Sequence, residues 1–190
     1  MAGHSKKGLK NRSRIAFVDE SGVSERPTVR RTWALRGKTP VIVSAGHWNA
    51  RSVIGAIVCD ANAENPKFYL AIIHGAVHKE DDAGFLKQLR RHERNRLILI
   101  WDNLAGHKSC LVRDTARERN IELEYFPSYA PELNPVEYAW ATAKNRDLAN
   151  LYPEGLPALD GHIRRMKQRL QRRYDLLRGF LKKSELFDDI

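Results

Sequence analysis

Five consecutive apolar residues, Leu97-Ile98-Leu99-Ile100-Trp101, run without a polar break and stop at Asp102. A strand with one wet face alternates apolar and polar positions. A strand with no polar position is covered on both faces, which requires helices above and below the sheet. Ile15-Ala16-Phe17-Val18 makes the same stop at Asp19. An acid at the carboxyl end of such a strand lies where open α/β sheets hold their ligands. A third acid, Glu137, lies in Asn134-Pro135-Val136-Glu137 at the start of a predicted helix. Fixed carboxylates brought together bind divalent metal. Taken singly, each acid has a plainer reading. Asp19 and Asp102 are also ordinary turn residues after a strand. Glu137 stands three residues after the N-cap Asn134, with Pro135 at the first helical position, which is a capping box.

The remaining pattern divides in two. Residues 15–19, 30–34, 41–44, 52–59 and 67–73 read as strands, the second of them weakly. The links at 36–40, 46–49 and 60–66 are rich in turn formers, which suggests an antiparallel meander. From residue 80 helices alternate with strands. Residues 80–94 place Phe85, Leu86 and Leu89 at helical spacing, with acids early and bases late. A strand over 96–102, a helix over 108–119, a strand over 121–126 and helices over 137–149 and 159–181 follow. In the last helix Leu159, Ile163, Met166, Leu170, Tyr174, Leu177 and Leu181 form one apolar stripe beneath a basic face. The order predicts an α/β chain with a mixed five-stranded (or slightly larger) sheet flanked by helices.

The chain has 190 residues and a net charge of +10. That length suits one well-buried core. The charge sits at the ends: residues 1–14 carry +5, residues 159–183 carry +7, and 15–158 come to only +1. A nearly neutral body with basic ends fits a protein that meets a polyanion, although a solubilising surface has the same composition. The reading is a basic, disordered segment at 1–14 and a single domain at 15–190 that ends in the basic amphipathic helix. Candidate phosphate contacts are Arg31, Arg36 and Lys38 near Trp33, and Arg164, Arg165, Arg169, Arg172 and Arg173 on the last helix. Trp33 and Trp48, beside polar turns, are candidate stacking platforms for bases. Cys59 and Cys110 form no paired motif and imply no disulfide framework. No stretch approaches the roughly 20 apolar residues of a membrane span, so a cytoplasmic protein is expected.

Several blocks carry a resemblance. Phe17-Val18-Asp19-Glu20-Ser21-Gly22 resembles the first catalytic block of bacterial insertion-sequence transposases of the mariner superfamily. So do Arg31-Thr32-Trp33-Ala34-Leu35-Arg36-Gly37, Trp101-Asp102-Asn103 with His107-Lys108, and the run from Tyr129 to Trp140. The 34 residues between Asp102 and Glu137 match the family's Asp-x34-Glu spacing. The resemblance covers about residues 14–150.

It implies a ribonuclease H-like fold and a DDE-type catalytic domain. Asp19, Asp102 and Glu137 would hold two Mg²⁺ ions, with Mn²⁺ as a substitute. Asn103 would orient the second Asp, and His107 and Lys108 would support the site. The implied activity is cleavage of double-stranded DNA at transposon ends followed by strand transfer into a target. A stand-alone ribonuclease H-like nuclease and an inactive DNA-binding remnant are the rivals. Family members carry helix-turn-helix units before this domain. Only about 14 residues precede the first strand here, so those units are expected on a separate product of the same element, or lost by truncation. A homodimer, and a bacterial cytoplasm in which the protein joins the nucleoid when bound to DNA, complete the expectation.

Overall fold

The computed structural model describes residues 13–26, 28–41 and 48–187. Its centre is a five-stranded sheet. The strands are β1 (Ser13–Ser24), β2 (Ala50–Asp60), β3 (Lys67–Ile73), β4 (Arg96–Trp101) and β5 (Ile121–Tyr125), in the spatial order β3-β2-β1-β4-β5. β1, β2 and β3 form the expected antiparallel meander. β4 and β5 add in parallel on the other side of β1. The sheet is therefore mixed, and β1 is the seam between its halves.

Helices cover both faces. On one lie α1 (Lys79–His92) and α2 (Cys110–Glu118), packed on Ala16, Val18, Leu97, Leu99 and Trp101. On the other lie α3 (Pro135–Thr142), α4 (Leu156–Gln171) and α5 (Tyr174–Lys183), packed on Phe17, Val53, Ile57 and Phe68. β4 is not sealed equally on its two sides. Leu97, Leu99 and Trp101 are buried, whereas Ile98 and Ile100 are half-buried, because the helices of that second face lie over β1, β2 and β3.

Four expectations need correction. β1 starts at Ser13 and runs five residues past Asp19, because β2 pairs with it along its whole length, down to Ser24↔Ala50. Arg14, counted with the basic tail, is thus a strand residue with 5% exposure, paired with Asp60 at 2.6 Å and Glu93 at 3.2 Å. The weak strand at 30–34 is extended coil. Among the described residues, the only ladder-like contact of its segment is one bridge from Thr28 to Ala149. The predicted helix over 159–181 is two helices that part at Arg172 and Arg173. Unbroken, it would extend about 35 Å at roughly 1.5 Å per residue and overrun the sheet. The break lets Leu177, Phe180 and Leu181 of α5 turn back into the core that Ile163 and Met166 of α4 also enter. Tyr174, counted in the stripe, ends up exposed. The strand expected at 41–44 and most of the segment 1–14 lie outside the described residues.

Candidate active site

Strand register places the first acid. Phe17↔Ile100 is the last pair of the parallel β1–β4 ladder. Asp19 lies just beyond it, still paired to Gly55 of β2. β4 ends at Trp101, so Asp102 leaves the sheet beside Asp19. The third acid comes from α3. Its N-cap Asn134 accepts a hydrogen bond from Val136 N–H at 3.1 Å and donates through Nδ2 to the carbonyl of Val18 at 3.0 Å. One buried amide therefore starts the helix and fastens it to the residue preceding Asp19. The capping box offered by the sequence is not formed: Asn134 N–H donates to the carbonyl of Pro131. Glu137 stays exposed in the first turn.

Asp19, Asp102 and Glu137 line one cleft of about 410 Å³, walled by the segment from Phe126 to Pro131. Tyr129 stands on its rim fully exposed, with φ of 61°. A non-glycine residue held there is strained, and such strain gathers at functional sites. Burial, reinforced by the charge of Glu137, pushes the Asp19 carboxyl up to about 7. The Trp140 indole N–H opposes this by donating to Asp19 Oδ2 at 2.9 Å. Trp140 lies three residues after Glu137 on α3, so one helical face presents the acid and the clamp. Its ring fits because Gly55 has no side chain: a Cβ there would stand 2.5 Å from Trp140 Cη2.

His107 holds Asp102. Its Nδ1 makes a close, bent contact of 2.5 Å with Asp102 Oδ1, and its Nε2 lies 3.0 Å from Glu20 Oε1. The ring stacks on Trp101 at 4.0 Å. Burial alone would lower the imidazole, but the Asp102 and Glu20 carboxylates outweigh it and push it up to about 10. Burial would likewise raise Asp102, but the same histidine holds that carboxyl below its ordinary 3.8.

The other candidates are dispersed. Asn103 lines the cleft but reaches towards Ser128 rather than Asp102, so the orienting part falls to His107. Lys108 is exposed above the Tyr125 ring. Arg31, Trp33, Arg36 and Lys38 are exposed on the extended segment 28–41, with Trp33 at 100%. Trp48 is covered in part by the Arg26 guanidinium, 5.4 Å from its ring. Arg164, Arg165, Arg172 and Arg173 are exposed, as a phosphate-binding face requires. Arg169 is not available in that way, since it is ion-paired to Asp147 at 2.5 Å. The sequence gives Trp140 no part beyond its place in the Tyr129–Trp140 block, and it does not point to Gly55, Asn134's tie to Val18 or Asp82. The i, i+3 spacing of Glu137 and Trp140 was the one available signal.

Comparison with known proteins bears on the family and the fold. The family model described as DDE superfamily endonuclease matches residues 14–159. The Tc3 transposable-element transposase of Caenorhabditis elegans is 26% identical over 137 residues, covering 68% of this chain and 41% of the relative. A 39 kDa protein of insertion element IS630 from Shigella sonnei is 27% identical over 144 residues, covering 66% of this chain and 36% of the relative. The chain thus spans less than half the length of these relatives. Among solved structures, the Mos1 strand transfer complex superposes with a TM-score of 0.64 at 18% identity, over 96% of this chain and 54% of that one. The Mos1 mariner paired-end complex with Mn superposes at 0.63 and 17% identity, over 95% and 56%. The mixed sheet and its flanking helices are thus those of the Mos1 transposase catalytic domain, the ribonuclease H-like fold. Among the described residues no helix is long and apolar enough to cross a membrane.

Proposed function

The chain belongs to the DDE superfamily endonuclease family, and from that premise we propose that it is a transposase catalytic domain that cuts DNA at transposon ends and joins them to a target. The observation that carries this reading is the convergence of Asp19, Asp102 and Glu137 on one cleft. An all-carboxylate donor set suits Mg²⁺ or Mn²⁺. The raised Asp19 carboxyl fits such an ion too, since burial and a neighbouring acid leave it short of positive charge. When bound, a pair of such ions supplies Lewis acidity to the phosphoryl oxygens and lowers the pKa of an attacking water or 3′-hydroxyl.

The chain's own residues set the stage for that chemistry. Trp140 fixes Asp19 Oδ2 and leaves the other oxygen for the cleft. His107 draws Asp102 towards β4. Asn134 ties the start of the Glu137 helix to β1. Two acids and the helix of the third are thereby held before any ligand arrives, which is what positioning an in-line displacement needs.

DNA is met by the exposed cations of segment 28–41 and of α4 with its trailing turn. If Arg31, Arg36, Lys38, Arg164, Arg165, Arg172 and Arg173 each neutralise a phosphate, affinity falls with salt at a log–log slope near −6, from about 0.9 per contact. Affinity unchanged between low and moderate salt refutes that assignment. The partner that recognises transposon ends is a helix-turn-helix unit, on the same polypeptide or a separate one. The protein acts as a homodimer in the bacterial cytoplasm.

The test is Mn²⁺ calorimetry on wild type and Glu137→Gln, followed by strand transfer with pre-cut 3′-hydroxyl ends. The variant is expected to melt like wild type, bind Mn²⁺ more weakly and join no ends. Equal Mn²⁺ binding removes Glu137 from the ligand set. Hydrolysis without joining makes the protein a nuclease.

A further inference from the structure

On the opposite face of the sheet from Asp19 lies a second group of ligand-type side chains, of which the proposed chemistry uses only His107, through its Nδ1. β-strand geometry turns neighbours to opposite sides. Asp19 therefore faces α3, and Glu20 faces α1. There Glu20 meets His107 and Asp82, the latter in the first turn of α1. One ligand atom from each lies within 4.8 Å of the other two. Asp82 has 3% exposure, and its Oδ1 has no hydrogen-bond partner among the described residues. A buried carboxylate oxygen without a partner is costly. Three carboxylates, Glu20, Asp82 and Asp102, here surround a single imidazole, so the group is short of cation.

We infer that Glu20, Asp82 and His107 form a separate binding site for a first-row transition-metal dication, with Zn²⁺ as its natural occupant. One imidazole and two carboxylates match the donors of Zn²⁺ sites and differ from the all-oxygen sets that hold Mg²⁺. Two ligands on one tetrahedral Zn²⁺ stand about 3.4 Å apart, from bond lengths of about 2.0–2.2 Å. The widest pair, within 4.8 Å here, therefore has to close by at most about 1.4 Å. The histidine is already arranged for this. Trp101 fixes its ring plane, and Tyr125 Oη donates to its carbonyl at 3.3 Å. Asp102 faces Nδ1, and Nε2 points at Glu20. This is the carboxylate–histidine–metal relay in which one ring nitrogen is held by an acid and the other binds the ion. Binding displaces the Nε2 proton to solvent. Glu20, whose side chain is 22% exposed, provides the way in. An ion here would fix His107 and, through it, Asp102, so this site would brace the cleft without belonging to it.

The test is calorimetric titration of Zn²⁺ into the whole chain, as wild type, Asp82→Asn, Glu20→Gln and Asp19→Asn. Wild type and Asp19→Asn are expected to bind the tightest Zn²⁺ ion alike, whatever weaker binding the cleft adds in wild type. Asp82→Asn and Glu20→Gln are expected to bind it at least about tenfold more weakly. Co²⁺ in place of Zn²⁺ should give the intense visible bands of a low-coordinate nitrogen–oxygen site, and Asp82→Asn should lack them. Asn is isosteric with Asp, so the fold should survive. If circular dichroism shows otherwise, Glu20→Gln alone decides. Absence of Zn²⁺ binding by wild type, or binding untouched by Asp82→Asn and Glu20→Gln, overturns the inference. Loss of the ion in Asp19→Asn alone assigns it to the cleft and overturns it equally. None of these outcomes depends on strand transfer, so the transposase reading stands or falls separately.

Discussion

Replacing Gly55 by Ala adds one methyl group on β2, directly opposite Asp19 of β1. That methyl meets Trp140 Cη2 at 2.5 Å and Cζ2 at 2.6 Å, closer than carbon atoms can approach. The indole has little room to yield, since it is buried and packed edge-on against Phe68 at 6.1 Å. Overpacking of this kind costs about 1–3 kcal/mol. Removing a glycine from a strand returns about 0.5–1 kcal/mol, so the net loss is at most about 2.5 kcal/mol. If the ring swings out it also gives up its hydrogen bond to Asp19, and activity falls further than stability does. Chemical denaturation of Gly55→Ala in two backgrounds measures this. In Trp140→Phe the colliding indole atoms are absent, so the same glycine substitution should become neutral or stabilising. A cost that is equal in both backgrounds refutes the reasoning, because the penalty would then not lie between the methyl and the indole.

Asn134→Ala removes both the helix cap and the tie to Val18, and should lower stability by about 2 kcal/mol, roughly one for each; a denaturation midpoint shifted by only a few tenths of that would deny the tie its part. At Asp60, burial raises the carboxyl, but Asn65 and Arg14 outweigh it and hold it below the ordinary 3.8. A carboxyl depressed by folding stabilises fully above its unfolded pKa and loses that contribution as pH falls through the folded value. Asp60→Asn should therefore be destabilised at neutral pH, by about 1.5–3 kcal/mol for a hydrogen bond to a charged group. The gap from wild type should close only in strong acid, and a gap that is constant with pH would contradict the pairing. Burial pushes the Cys59 thiol up to about 12, whereas Cys110 is exposed. A thiol reagent at mildly alkaline pH should label Cys110 alone until the chain is unfolded, and equal labelling of both in the native protein would place Cys59 wrongly.

How much of this was legible depended on distance along the chain. The run from Leu97 to Trp101 announced a helix-covered strand, and the residues after it announced a parallel half-sheet, because burial on two faces leaves its mark on every position. Asp102 could be placed for the same reason. The end of β1 could not, since Val23 is the one apolar core residue between Glu20 and Ser24, too little to betray that β2 continues to pair there. Arg14 looked like part of a tail because its partners, Asp60 and Glu93, lie 46 and 79 residues away. The break at Arg172 and Arg173 carries no glycine or proline. It answers to the size of the sheet beneath, which no local pattern records. The clamp from Trp140 could not be read because its indole nitrogen, the part that meets Asp19, is invisible to a hydrophobic pattern.

The alternation of Asp19 and Glu20 on β1 bears on how this gene can change. The strand is paired to β2 as far as Ser24 and to β4 as far as Phe17, so its register is fixed from both sides and it cannot slide. Losing or gaining a single codon between Ser13 and Asp19 would exchange the two acids between the faces, and one anywhere up to Ser24 would turn every core residue beyond the change inside out. Substitutions can be absorbed there one at a time. Changes of length cannot, and lineages descended from this sequence should vary in length at the loops and leave this stretch at twelve residues.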